Sequence, residues 1–159
     1  MATRMNDLEI EGASIIWRNF SGAQSKFNRQ GNRNFSVVID DEELANKLIE
    51  DGWTMKPLNP KTEDAAPAWA LKTKVSDRAT IYLITESNHR KKVLDQEAYS
   101  AIDYMEIKNI DLVISPYYWE MNGNTGVAAY LKRAYITIAE DSFTQRYSDY
   151  DIDEEEPIL

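Results

Sequence analysis

The chain contains no cysteine, so neither a disulfide framework nor a thiolate metal site can hold its fold. It contains one histidine, His89, which removes most remaining zinc sites, and no nucleophile at a recognisable elbow accompanies it to make a triad. No run of about 18 apolar residues occurs, and Met1 to Ile10 carries charges where a signal peptide needs an apolar stretch, so a protein of a reducing cytoplasm with no membrane association is expected. Gly-x-x-x-x-Gly-Lys-Ser/Thr and Gly-x-Ser-x-Gly are both missing, and Asp151-Ile152-Asp153 lacks the glycine and final glutamate of a calcium loop. Glu106-Ile107-Lys108 matches the Glu-x-Lys of some metal-dependent nucleases, with Asp95 or Asp103 as a conceivable second carboxylate. Three residues are a weak signal, and Asp103 lies too near in sequence to occupy an adjacent strand. A non-enzyme without cofactor is expected.

What is present is a body and a tail. The 159 residues, 43% hydrophobic and 11% aromatic, suit one core. The formal net charge is -9, yet Glu140 to Leu159 holds eight acids against one base. That leaves 19 acids and 17 bases for residues 1–139, expected to be one domain that is close to neutral. The tail, expected to be disordered through self-repulsion, ends Asp153-Glu154-Glu155-Glu156-Pro157-Ile158-Leu159. A solubilising tail has no need of a terminal apolar pair, whereas a peptide that docks in a basic-rimmed apolar pocket does.

The body reads as mainly β. Leu8 and Ile10 alternate with Glu9 and Glu11; Phe35, Val37 and Ile39 form one face of a second strand. Trp69, Leu71, Thr73 and Val75 form one face of a third, and Ala79, Ile81 and Leu83 one face of a fourth. Placing these two on a common face predicts a hairpin with Ser76-Asp77-Arg78 as its loop, Lys72 opposite Tyr82 and Lys74 opposite Thr80. A last hairpin, Ile110 to Met121 and Val127 to Ala139, is joined by Asn122 to Gly126. One helix is expected to start at Asp40 or Asp41, with Glu43 completing a capping box, to bury Leu44, Ala45, Leu48 and Ile49, and to stop at Gly52. A second, short helix is expected over Gln96 to Asp103, and the segment 57–67 as loop. About five strands with one or two short helices fit an OB-like Greek-key barrel.

The segment from Gly12 to Ile39 contains no acid at all. Within it Arg18, Lys26, Arg29 and Arg33 alternate with Trp17, Phe20 and Phe27. Phosphates attract cations and bases stack on flat apolar faces, so this Gly-, Ser- and Asn-containing loop is expected to be mobile and to wrap a single nucleic-acid strand. Trp17 and Phe35 are expected in the core. Lys72, Lys74 and Tyr82 form a second candidate patch, the run His89-Arg90-Lys91-Lys92 a third. In Pro116-Tyr117-Tyr118-Trp119, alternation sets Tyr117 and Trp119 on one side and Tyr118 on the other, with the former pair expected to face outward.

Several of these stretches together resemble the small single-stranded DNA-binding proteins of tailed bacteriophages. They are Trp17-Arg18-Asn19-Phe20-Ser21-Gly22, Arg33-Asn34-Phe35-Ser36-Val37-Val38-Ile39-Asp40, Glu50-Asp51-Gly52-Trp53, and the hairpin from Asp111-Leu112-Val113-Ile114-Ser115-Pro116-Tyr117-Tyr118-Trp119 to Ala129-Tyr130-Leu131. The acidic end is similar to the tails of bacterial and phage single-stranded DNA-binding proteins, although those typically close with Pro-Phe. The resemblance implies an OB fold, a role in replication or recombination in an infected host's cytoplasm, protein partners read through the tail, and no cofactor. The rival reading is an acidic module that mimics DNA. Cations gathered along one groove favour the binder, and scattered cations favour the mimic.

Overall fold

The computed structural model describes residues 6–26, 28–60, 62–86 and 91–139. Its strands are β1 (Leu8–Ile10), β2 (Ser14–Asn19), β3 (Arg33–Ile39), β4 (Met55–Pro57), β5 (Trp69–Val75), β6 (Thr80–Thr85), β7 (Lys91–Val93), β8 (Ile107–Met121) and β9 (Asn124–Ile138). One α-helix, α1 (Glu42–Glu50), and a 3-10 helix, Gln96–Tyr104, complete it. The fold is mainly β, as its period-two patterns require.

The strands form one mixed sheet in the order β1-β8-β9-β5-β3-β2, with β4 against β5, and β6 between β7 and β9. The two ends of this path, β1 and β2, are successive pieces of one segment bent at Gly12, whose φ of +58° suits glycine. Ala13, just past the bend, still donates its N–H to the Ile110 carbonyl of β8 at 2.8 Å. The sheet therefore curls until its first segment touches both β8 and β3, an OB-like arrangement. Nine strand segments appear where about five were expected, because β4 and β7 are three-residue strands added beside β5 and β6, and the first segment is divided at Gly12 into β1 and β2.

The predicted faces of Phe35 and Val37, of Leu71, and of Ile81 and Leu83 are inward, and Ile110, Leu112, Ile114, Leu131, Ala134, Ile136 and Ile138 of the last hairpin join them in one core. The predicted partnership of β5 with β6 is not made. Both run parallel to β9 instead, β5 at Thr73–Ala129 and Lys74–Tyr130, β6 from Thr80–Arg133 to Thr85–Ile138. A common inward face is compatible with either arrangement, since it fixes parity and not neighbours. The last hairpin forms, but its turn is tighter than expected, with Met121 opposite Asn124. Asn122 and Gly123 take φ of 52° and 82°, the left-handed pair that matches strand twist in a two-residue turn.

In α1 the cap is Asp41, whose carboxylate accepts the N–H groups of Glu43 and Leu44 at 3.0 and 3.2 Å. Glu43 is thus one position short of the capping-box site, which Leu44 fills. Gly52, at φ +97°, ends the helix; its N–H donates to Ile49 and that of Trp53 to Leu48, the paired bonds of a Schellman cap. Ala45 and Leu48 are buried, whereas Ile49 is exposed. The second helix lies where expected, as a 3-10 helix that buries Tyr99 and Ile102. Among the described residues, no helix is long and apolar enough to cross a membrane.

Candidate nucleic-acid interface

Ladder register places residues of equal parity in rows across the outer face of the sheet. One row runs Asn19, Asn34, Lys74, Tyr130, Ser115 over β2, β3, β5, β9 and β8. Lys72, facing Ser36, stands beside Lys74 in the next row, and both lysines are exposed. The Lys74 ammonium lies 5.7 Å from the centroid of the Tyr130 ring, which meets Tyr117 edge to face at 5.5 Å. A concavity of about 360 Å³ opens here, lined by Asn32, Arg33, Asn34, Lys72, Lys74 and Tyr130, with Asp77 also on its wall.

Tyr117 and Trp119 stand on the Tyr130 side of the hairpin, since Tyr117 faces Ala128 and Trp119 faces Gly126. A Cβ added to Gly126 would meet the Trp119 ring at 2.6 Å, so the indole lies flat on that glycine and turns its other side outward. Tyr117 is 58% exposed, and Tyr118 on the opposite side is 52% exposed, because this end of the hairpin reaches past the core. Both faces are therefore wet, where only one was expected to be.

The loop from Phe20 to Asn32 is knit to itself by asparagines rather than loose. Asn19 Oδ1 accepts the Ala23 N–H at 2.8 Å, and Asn28 Nδ2 donates to the Ala23, Arg29 and Asn32 carbonyls. Asn34 Nδ2 donates to Asn28 Oδ1 at 3.0 Å, and the Gly31 N–H to the Gly22 carbonyl at 2.7 Å. At Gly22 a Cβ would stand 3.0 Å from the Gly31 backbone, so the two arms cross where only glycine fits. The acid-free loop is preorganised, with Lys26 and Arg29 exposed on it; Phe27 lies outside the described residues.

Three sequence expectations are corrected. Phe20 is fully buried and stacked on Phe35 at 5.0 Å, so neither of its faces can receive a base. Arg18 is turned inward, donating to the carbonyls of Ile102 and Met105 at 3.2 and 2.7 Å, and serves as a strut rather than a free cation. Trp17, expected in the core, is 56% exposed. It sits in the bulge between Ile16 and Asn19 with φ +53°, which turns its side chain out. The Lys56 ammonium lies 5.3 Å from its ring. Lys56 faces Ala70, so this pair shares the side of Lys72 and Lys74.

Tyr82 is not beside Lys72. It stacks on Tyr135 of β9 at 4.9 Å and 9°, with Lys91 above it. Arg33, at the end of the inward parity of β3, places its guanidinium 5.4 Å from the Tyr99 ring while still lining the groove. Glu106 and Lys108 face each other at 3.4 Å, and both Asp103 oxygens accept backbone N–H groups, so the nuclease-like residues are engaged with their own chain. His89, Arg90 and the tail from Asp153 to Leu159 lie outside the described residues. Sequence reasoning missed Tyr130, although its alternation with the apolar Ala129 and Leu131 marks it as outward, and missed the glycine seat of Trp119.

Residues 1–158 match the family model described as "Putative phage ssDNA-binding domain". Among solved structures, the fold is similar to that of the single-stranded DNA-binding protein from bacteriophage Enc34 in complex with ssDNA, at TM-score 0.58 and 9% identity, covering 86% of this chain and 89% of that one. The same phage protein in its C-terminal truncation gives TM-score 0.55 and 9% identity over 83% and 86% of the two chains. At such identity the likeness is one of fold. A comparison with curated protein sequences returns no match. The family model spans nearly the whole sequence, and the chain belongs to the phage ssDNA-binding domain family.

Proposed function

We propose that the protein binds single-stranded DNA with little sequence preference and without catalysis, on the outer face of the sheet. The observation that carries the reading is the groove in which Arg33, Lys72 and Lys74 gather beside the half-buried Tyr130 and the exposed Tyr117. The lysines hold phosphates, Tyr130, Tyr117 and Trp119 offer ring faces to bases, and Asn32 and Asn34 supply polar contacts. Lys26 and Arg29 extend the positive rim. Trp17 over Lys56 gives the same face a further aromatic edge. Clustering of the cations speaks for a binder over an acidic mimic. The Enc34 protein, similar in fold, forms a complex with ssDNA, and the extension of that binding to this chain is part of the proposal.

The tail belongs to the same proposal. With a charge of -7, tethered to a basic groove, it is at high effective concentration and competes with DNA. Displaced by DNA, Asp153 to Leu159 becomes free to dock on replication or recombination proteins in the host cytoplasm through Ile158 and Leu159.

Reversing both groove charges, with K72E and K74E together, should lower affinity for oligo-dT by about a hundredfold at low salt in a protein that melts as wild type does. Unchanged affinity would overturn the assignment of this groove.

A further inference from the structure

β9 carries more on its outer face than the groove uses. Beyond Tyr130 the core-facing parity passes from Leu131 to Ala134 through a bulge, so Arg133 and Tyr135 follow Tyr130 on the outer side. Arg133 faces Thr80 of β6, and Tyr135 faces Tyr82. The rings of Tyr82 and Tyr135 are nearly parallel at 4.9 Å, and the exposed Lys91 brings its ammonium to 4.5 Å from one centroid and 5.8 Å from the other. Val93, opposite Tyr82, is 55% exposed and widens the apolar surface. The neighbouring acid, Asp111, opposite Tyr135, accepts the Gly12 N–H at 2.8 Å and the Asn109 amide at 3.1 Å through one carboxylate oxygen; these neutral donors fix it in place, and its single negative charge is outnumbered by Lys91 and Arg133. Arg133 Nε is buried with no hydrogen-bond partner, so nothing described anchors that guanidinium through its inner nitrogen.

We infer that Tyr82 and Tyr135, with Lys91 and Arg133, form a second base-stacking step for the same DNA strand, reached from Tyr130 along β9. The inference rests on the single-stranded DNA reading and adds to it a direction and a length. Five residues of strand separate Tyr130 from Tyr135, about 16 Å at the rise of a β-strand. A short oligonucleotide seated in the groove cannot reach the second step, whereas a longer one can. Lys91 and Arg133 then meet the phosphates between the two steps. A cross-strand tyrosine pair also stabilises a sheet, but that role has no dependence on DNA length.

The test titrates the full chain with oligo-dT of about 4 and about 12 nucleotides, both within the site sizes of single OB folds, about 4–16 nucleotides. The double variant Y82A and Y135A should bind the longer oligonucleotide about tenfold more weakly than wild type and the shorter one equally well. If that variant melts early, K91E decides, since an exposed lysine is not needed for folding; it should weaken only the longer oligonucleotide and lower the salt slope by about 0.7. Variants that bind both lengths like wild type would overturn the second step and leave the groove standing. A wild-type protein that binds neither length would overturn the DNA reading itself, and the second step with it.

Discussion

The carboxylate of Asp103, in the 3-10 helix, accepts the backbone N–H groups of Phe20 at 2.7 Å and Ser21 at 3.2 Å, while Arg18 donates to the carbonyls on either side of Asp103. Four bonds in opposite senses thus bolt the base of the acid-free loop to the helix. Hydrogen bonds to a charged group contribute about 1.5–3 kcal/mol. D103A should therefore lower unfolding free energy by about that amount in urea, with oligo-dT affinity of the folded protein nearly unchanged. An affinity loss as large as that of a groove variant would mean that Asp103 shapes the binding face directly.

Phe20 separates packing from binding. Truncating a fully buried Phe costs about 3–5 kcal/mol through lost burial and the cavity left behind. F20A should show a large drop in stability and, at temperatures where it stays folded, near-normal DNA affinity. Full stability with weakened binding would return Phe20 to the DNA interface.

In the groove, Y130A should lose about 1–3 kcal/mol of binding free energy if its ring stacks one base. K74A should reduce the slope of log K against log salt by about 0.7, because one phosphate contact is gone. Titrations at three salt concentrations separate the two effects: the tyrosine variant shifts the line, and the lysine variant also tilts it.

Asp7 sits at the margin of the same face, its carboxylate 2.8 Å from Lys132 and 3.1 Å from Ser115, which lies opposite Tyr130. The Lys132 hydrogen bond holds its carboxyl below the ordinary carboxylate range, against a smaller desolvation effect. A depressed folded value stabilises the fold above the unfolded value and loses that contribution as pH falls through the folded one. Any stability advantage of wild type over D7N should thus be present at neutral pH and disappear on acidification below the ordinary Asp range. At neutral pH and low salt D7N should bind oligo-dT a few-fold more tightly, since Lys132 is released beside Tyr130.

Deleting Asp149 to Leu159 should tighten DNA binding, most visibly at low salt where attraction between tail and groove is least screened. Equal or weaker affinity at low salt would contradict competition. Replacing Ile158 and Leu159 by Ala should abolish pull-down of replication or recombination proteins and leave DNA affinity intact; an unaffected pull-down would make the tail a solubility device.

Much of the architecture was legible because burial imposes parity. Phe35, Val37, Leu71, Ile81 and Leu83 face inward as their alternation requires, and Gly52 ends α1. Neighbourhood was not legible: β5 and β6 share an inward face yet both lie against β9, a pairing set by long-range packing. Local exceptions hid the site as well. Trp17 escapes its strand pattern through a bulge at positive φ, and Phe20 and Arg18, read as DNA contacts from composition, are held by Phe35 and by the helix carbonyls. Composition pointed to the partner's chemistry more readily than to the residues that line the candidate groove.

The central claim is tested most directly by one fluorescence titration of the full chain with oligo-dT, duplex DNA of equal length and single-stranded RNA. With about five phosphate contacts, oligo-dT binding should follow a salt slope of roughly -3.5. Duplex should bind far more weakly, because its stacked bases cannot reach Tyr130, Tyr117 or Trp119. Duplex affinity equal to or above that for oligo-dT would contradict the account.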